Sequence, residues 1–143
     1  MLDIPLFHDD QHGTAIVVLA GIINGLRVTG KKKEDCKVVV NGAGSAGVAI
    51  TKLLLTYGFK HVTMCDREGI IGKDYPNLNW MQKKMTEVTN LENASGTLAD
   101  ALKGADIFVG VSAPNIVTPE MVASMNKDSI LFAMANPVPV SYT

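Results

Sequence analysis

A chain of 143 residues with 47% hydrophobic and 19% charged residues is long enough to bury a core. At a net charge of −1 it lacks the basic excess that nucleic acid or an anionic membrane would require. Its two cysteines, Cys36 and Cys65, cannot build a disulfide framework and read as small hydrophobes or free thiols of a reducing cytoplasm. The most apolar run, Ala15 to Leu26, is broken by Gly21, Asn24 and Gly25 and falls short of the roughly 20 residues that span a bilayer; with no charged lead-in, neither an anchor nor a signal peptide is expected.

In chain order, that run reads as a buried helix, and His8-Asp9-Asp10-Gln11-His12-Gly13-Thr14 precedes it. Taken alone, adjacent acids and a Gly-Thr pair at a helix entrance read as a capping segment, or as part of a metal site. Mg²⁺ or Mn²⁺ needs only one or two carboxylates plus substrate and water. Lys31-Lys32-Lys33, balanced by Glu34-Asp35, is expected to form a solvated turn. Then a β-branched strand, Lys37 to Asn41, meets Gly42-Ala43-Gly44-Ser45-Ala46-Gly47 and a helix from Ser45 to Tyr57 that stops at Gly58. This order is dinucleotide-binding grammar. Gly42 permits the tight turn, Gly44 lets the backbone approach a pyrophosphate, and Gly47 lets the helix pack on the strand. The N–H groups at the helix start then face the phosphates. A second strand, His61 to Cys65, ends in Asp66, 22 residues beyond Gly44, where an acid accepts hydrogen bonds from the adenosine ribose. Asp66 argues for NAD; the adjacent Arg67, able to attract a 2′-phosphate or stack on adenine, keeps NADP open.

After Asp66 a turn-rich connector, Gly69 to Pro76, leads to a weak helical pattern from Leu78 to Val88, in which Trp80 would cover the irregular segment hydrophobically. Thr97 to Gly104 reads as a short capped helix, Ala105 to Val111 as the third strand, and Thr118-Pro119-Glu120 as a helix start. Asn115 is either a turn residue or a neighbour of the ribose or nicotinamide. The fourth strand, Ser129 to Ala135, delivers Asn136-Pro137 to the carboxyl edge. Met81, Met85, Met121, Met125 and Met134 read as core packing, and His61 as a solvated residue at the strand start. The alternation predicts an α/β, Rossmann-like, doubly wound parallel sheet of order 2-1-3-4 with helices on both faces. Its ligand loops would follow Asn41, Asp66, Val111 and Ala135. One domain, 1–143, is expected, with a lead-in motif and helix (1–36) before the Rossmann core (37–143). A stop soon after the fourth strand suggests a fragment, whose uncovered edges and faces favour association into a homo-oligomer.

Phe7-His8-Asp9-Asp10-Gln11-His12-Gly13-Thr14-Ala15, the Gly42 to Gly47 loop, Gly96-Thr97-Leu98-Ala99-Asp100-Ala101-Leu102, Gly110-Val111-Ser112 and Ala135-Asn136-Pro137 together resemble the cofactor domain of bacterial-type malic enzymes, over nearly the whole chain and in the family's order. The resemblance implies oxidative decarboxylation of (S)-malate to pyruvate and CO₂ with reduction of NAD(P) and a divalent metal, Mg²⁺ or Mn²⁺. It further implies that Asp10 is a metal ligand and that Asp9 neighbours the metal and a catalytic lysine. Thr14 would approach the dinucleotide, and Asn136 would contact cofactor and substrate near the nicotinamide. The family's tyrosine acid, lysine base and Glu-Asp metal pair belong to an upstream substrate domain that is absent here. Tyr57, Tyr75 and Tyr142 do not match that tyrosine, and no lysine matches the base. Val140-Ser141-Tyr142-Thr143 also departs from the family's continuation after Asn136-Pro137. The chain alone is therefore expected to be inactive. The alternatives are another Rossmann dehydrogenase, in which Asp9 and Asp10 hold no metal, and a noncatalytic nucleotide-sensing module.

Overall fold

The computed structural model describes residues 13–75, 78–111 and 117–133. Its elements run α1 (Thr14–Thr29), β1 (Lys37–Asn41), α2 (Ser45–Tyr57), β2 (His61–Asp66), β3 (Gly69–Ile70), α3 (Trp80–Met85), α4 (Leu98–Leu102), β4 (Ile107–Gly110), α5 (Pro119–Ala123) and β5 (Ile130–Ala133), with a 3₁₀ turn at Lys33–Asp35. The strands form one sheet of order β3-β2-β1-β4-β5. The four parallel strands β2-β1-β4-β5 reproduce the expected 2-1-3-4 winding. One expectation is corrected: Gly69-Ile70 is not only connector but an edge strand, antiparallel to β2 with Cys65 opposite Ile70. Gly69, at φ 127°, turns the chain back, the Ile71 N–H donates to the Met64 carbonyl at 2.9 Å, and the Ile70 N–H donates to the Gly96 carbonyl at 2.9 Å.

Val38, Val39 and Val40 of β1 are all fully buried, as a central strand covered on both faces must be. Their alternation assigns the layers. Val38 and Val40 join Ile107 and Val109 under α1 and α2, packed by Val18, Ile22, Ile50 and Leu54. Val39 and Phe108 point to the other face, against Leu98, Ala101 and Leu102 of α4. α2 closes at Gly58, whose N–H bonds the Leu54 and Leu55 carbonyls. The short helices α3, α4 and α5 each begin with a capping box, from Asn79, Thr97 and Thr118, and α5 carries Pro119 in its first turn as read from the sequence.

α1 is amphipathic rather than buried all round. Ala15, Val18 and Ile22 are buried, whereas Ile16 and Val17 are 63% and 60% exposed. Its glycines face β5: a Cβ on Gly21 would meet the Phe132 ring at 2.2 Å, and one on Gly25 would meet Ile130 at 2.6 Å. Successive glycines down α1 thus touch residues in reverse order along β5, so the helix runs antiparallel to the strand. Its first turn accordingly lies at the sheet's carboxyl edge.

Three smaller expectations change. α3 is shorter than the Leu78 to Val88 pattern, and Trp80 is 70% exposed instead of covering anything. Lys31 is not a solvated turn residue: its Nζ lies 2.7 Å from Asp106, with 17% and 10% of the two side chains exposed. Asp106 also accepts from the Lys37 N–H and from Asn126, both at 3.0 Å. Burial pushes the Asp106 carboxyl up, but these donors and the Lys31 charge outweigh it and hold it below the usual carboxylate range. Lys33 lies over the Tyr57 ring, 4.8 Å from its centre.

Candidate functional site

The register brings Asn41, Cys65, Gly110 and Ala133 side by side, so the carboxyl ends of β1, β2, β4 and β5 lie along one edge. The glycine loop sits in the middle. Gly42, at φ 130°, takes a conformation that side chains resist, and its N–H donates to the Cys65 carbonyl at 2.7 Å. That bond ties the loop to the residue before Asp66. Gly47 lies on the Gly42 carbonyl: a Cβ there would be 1.8 Å from that oxygen. Only glycine lets α2 start so close to the strand it leaves, as the sequence reading required.

Gly44 behaves differently. It is exposed, and a Cβ on it would meet nothing within 4 Å. The outer side of the loop is therefore open space over a helix start. Gly44 is the N-cap of α2 and offers no side-chain cap, in contrast to α3, α4 and α5. An uncapped first turn of a 13-residue helix, with Ser45 exposed beside it, leaves backbone donors and the positive end of a dipole for an anion. A glycine cradle with an open front fits a pyrophosphate. A cleft of about 580 Å³ opens here, walled by Ala43, Gly44, Ser45 and the Val48, Ala49 and Lys52 face of α2 on one side and Asn79 to Gln82 on the other.

Asp66 ends β2 at the same edge, half-buried, with Arg67 exposed next to it. Its Oδ1 accepts from the Glu68 N–H at 2.8 Å and from the Tyr75 hydroxyl. Burial raises the Tyr75 phenol above its ordinary range, and the bond to Asp66 and the Asp66 charge raise it further, so it keeps its proton. Beneath Asp66, burial, reinforced by the Asp66 charge, pushes the Cys65 thiol up to about 12; Cys36, also raised mainly by burial, is the other free, buried thiol. Neither is a reactive thiolate. His61 is exposed at the far end of β2, as expected.

Gln82 was not singled out from the sequence. Its Oε1 accepts from the Asn79 N–H at 3.1 Å while its Nε2 donates to the Ala43 carbonyl at 2.8 Å, so the cap of α3 is also a clamp on the glycine loop. The Asn79-x-x-Gln82 spacing was a readable capping signal; the reach to Ala43, 39 residues away, was not. Tyr75 had no signal beyond its place in the connector. Asp9, Asp10, Asn115 and Asn136 lie outside the described residues, and of Thr14 the backbone alone, opening α1, is described. Among the described residues no group of three His, Cys, Asp or Glu side chains is placed to hold a metal ion, and no helix is long and apolar enough to cross a membrane.

Residues 11–141 match the family model for the NAD-binding domain of malic enzyme. The chain belongs to that family. Among its relatives, an NAD-dependent malic enzyme of Geobacillus stearothermophilus is 51% identical over 140 residues, covering 96% of this chain and 29% of that protein. An NADP-dependent malic enzyme of Haemophilus influenzae is 46% identical over 140 residues, covering 96% and 18%. The crystal structure of an NAD-dependent malic enzyme from Thermotoga maritima superposes with a TM-score of 0.90 at 49% identity, over 96% of this chain and 37% of that one. This malic enzyme chain thus spans about a third or less of the length of the relatives it matches.

Proposed function

We propose that residues 1–143 form one dinucleotide-binding domain of a malic enzyme, which oxidatively decarboxylates (S)-malate to pyruvate and CO₂ using NAD and Mg²⁺ or Mn²⁺. A single juxtaposition carries the reading: an uncapped helix start behind an open glycine loop, with a carboxylate at the end of the neighbouring strand. Membership of the malic enzyme family supplies the reaction class.

In this reading the backbone of Gly42, Ala43, Gly44, Ser45, Ala46 and Gly47 binds the pyrophosphate, Asp66 accepts from the adenosine ribose, and Arg67 flanks the adenine. When bound, the nicotinamide supplies a hydride acceptor and the divalent cation polarises the ketone from which CO₂ departs. Asp10 would hold the cation, Asp9 would support that site, and Thr14 and Asn136 would contact the cofactor, Asn136 near the nicotinamide. The direction of α1 supports this arrangement, because Thr14 opens that helix at the carboxyl edge and Asp10 precedes it by four residues in sequence. The proton-transfer residues would come from a substrate domain, so the chain alone would be inactive. The enzyme would work in the cytoplasm, which suits two unpaired buried cysteines.

NADP is the second reading, favoured by exposed Arg67 and by Lys52 in the cleft wall. Calorimetric titration of the chain with NAD and NADP, each with and without Mn²⁺, tests both. NAD binding in preference to NADP supports the first, the reverse order supports the second, and a folded chain that binds neither refutes the cofactor reading. Asp66→Ala should weaken NAD more than NADP; an equal loss would show that Asp66 does not read the ribose. Pyruvate formation by the chain alone would disprove the inactivity.

A further inference from the structure

The carboxylate assigned to the ribose is already engaged within the protein. Both donors to Asp66, the Glu68 N–H and the Tyr75 hydroxyl, converge on Oδ1. Among the described residues Oδ2 accepts from neither. Two donors on one oxygen restrain the carboxylate about its terminal torsion more firmly than either alone, and its other oxygen remains an acceptor of fixed position.

Tyr75 is itself held independently of Asp66. Its N–H donates to the Gly72 carbonyl at 3.1 Å, and its ring packs with the cluster of Ala43, Val48, Met64, Ile71 and Met85. The connector that carries it is pinned by buried Asn90, which donates to the Ile71 carbonyl at 3.2 Å, and by Asn93, which accepts from the Lys73 N–H at 3.1 Å. Ala43 of the glycine loop belongs to that same cluster, so the ring packs against the core that carries the pyrophosphate cradle while its hydroxyl holds the acid.

We propose that Tyr75 is a positioning residue for the adenosine end of the dinucleotide: by holding Oδ1 of Asp66 it presents Oδ2 to the ribose hydroxyls and sharpens selection of NAD over its 2′-phosphorylated form. The proposal rests on the reading of Asp66 as the ribose acceptor. With the carboxylate fixed, NAD meets a preorganised acceptor and a 2′-phosphate meets a negative charge that cannot turn aside. With a phenylalanine at this position only the Glu68 N–H still holds Oδ1, so the carboxylate is less firmly fixed, which costs NAD part of its prepared partner and eases the repulsion of NADP.

The test is calorimetric titration of NAD and NADP into the wild-type chain, Tyr75→Phe, Asp66→Ala and the double variant, with a thermal melt of each. Tyr75→Phe should weaken NAD roughly three- to tenfold and change NADP by less than about twofold, a hydrogen bond's worth of selectivity. In the Asp66→Ala background Tyr75→Phe should have no further effect on NAD. Equal losses for both dinucleotides would show a merely structural role and overturn the proposal. Unchanged NAD affinity in Tyr75→Phe, with a clear loss in Asp66→Ala, would overturn it while leaving the Asp66 reading intact. Unchanged NAD affinity in Asp66→Ala would remove that reading and the proposal together.

Discussion

Replacing Gly47 and Gly44 separately with alanine should divide the glycine loop into its structural and binding halves. A Cβ on Gly47 would stand 1.8 Å from the Gly42 carbonyl oxygen, where real contacts do not fall below 3.0 Å, so α2 must retreat from β1 by roughly 1 Å or more. The obstacle is backbone, which has no rotamer to turn. α2 is packed through Val48, Ile50 and Leu54, all buried, and such overpacking of a filled core costs about 1–3 kcal/mol. For a chain of this size that is a melting temperature lower by roughly 3–9 °C. The same retreat withdraws the first-turn N–H groups, and loss of one bond to a charged phosphate weakens NAD roughly ten- to a hundredfold. Gly44→Ala is the control. With φ −80° and ψ −167° and nothing within 4 Å of the new Cβ, the fold accepts alanine without strain. The methyl group instead occupies the open front of the loop, so NAD affinity should fall with the melting temperature unchanged. Differential scanning fluorimetry and calorimetric titration read both quantities. A Gly47→Ala chain that melts as wild type, or a Gly44→Ala chain that binds NAD as wild type, would refute this account of the loop.

Three further outcomes are expected. Asp106→Asn should cost about 1–3 kcal/mol at pH 7 in urea unfolding, because three donors lose a charged acceptor. The folded pKa of Asp106 is depressed, so the stabilisation is complete above the unfolded value of about 3.9 and is lost as pH falls through the lower folded value. The gap between wild type and variant should therefore close below pH 4, and a gap independent of pH would count against the ion pair. Gln82→Ala removes half of a capping box and the clamp on Ala43, and should cost about 1 kcal/mol with a several-fold loss of NAD affinity; wild-type affinity on titration would mean the loop holds its shape unaided. Gly21→Ala sets a helix-propensity gain of about 1 kcal/mol against a contact 2.2 Å from the Phe132 ring. It should destabilise the wild type and stabilise a Phe132→Leu background in a double-mutant cycle; the same sign in both backgrounds would exclude Phe132 as the obstacle.

Much of the site was legible because its parts are local. Ser45 to Tyr57 was read as a helix with the bounds it has, since the glycine turn and Gly58 punctuate it within the sequence itself. The capped start at Thr97 and the N-cap at Thr118 were anticipated from neighbouring residues alone, and the structure completes each as a capping box with Asp100 and Met121. Gly42 and Gly47 were assigned to turn and close packing, and the positive φ of the one and the Cβ clash of the other agree. What escaped the reading involved partners distant in the chain. Lys31 was placed in solvent because its sequence neighbours are charged, whereas its partner Asp106 lies 75 residues away. Ile16 and Val17 were placed in a core because they are apolar, but which face of α1 is covered depends on where β5 stands.

The amino-acid sequence by itself determined the strand-turn-helix units, their caps, their order and hence the winding of the parallel strands. These follow from backbone preferences and from buried or half-buried periodicities that each segment carries alone. Tertiary structure decided which polar groups meet: Gln82 with Ala43, Tyr75 with Asp66, Lys31 with Asp106, and Gly69-Ile70 with the free edge of β2. A hydrogen bond has no signature in a sequence until packing has brought its donor and acceptor within about 3 Å, and apolar packing sets that distance here without reference to the polar groups it joins.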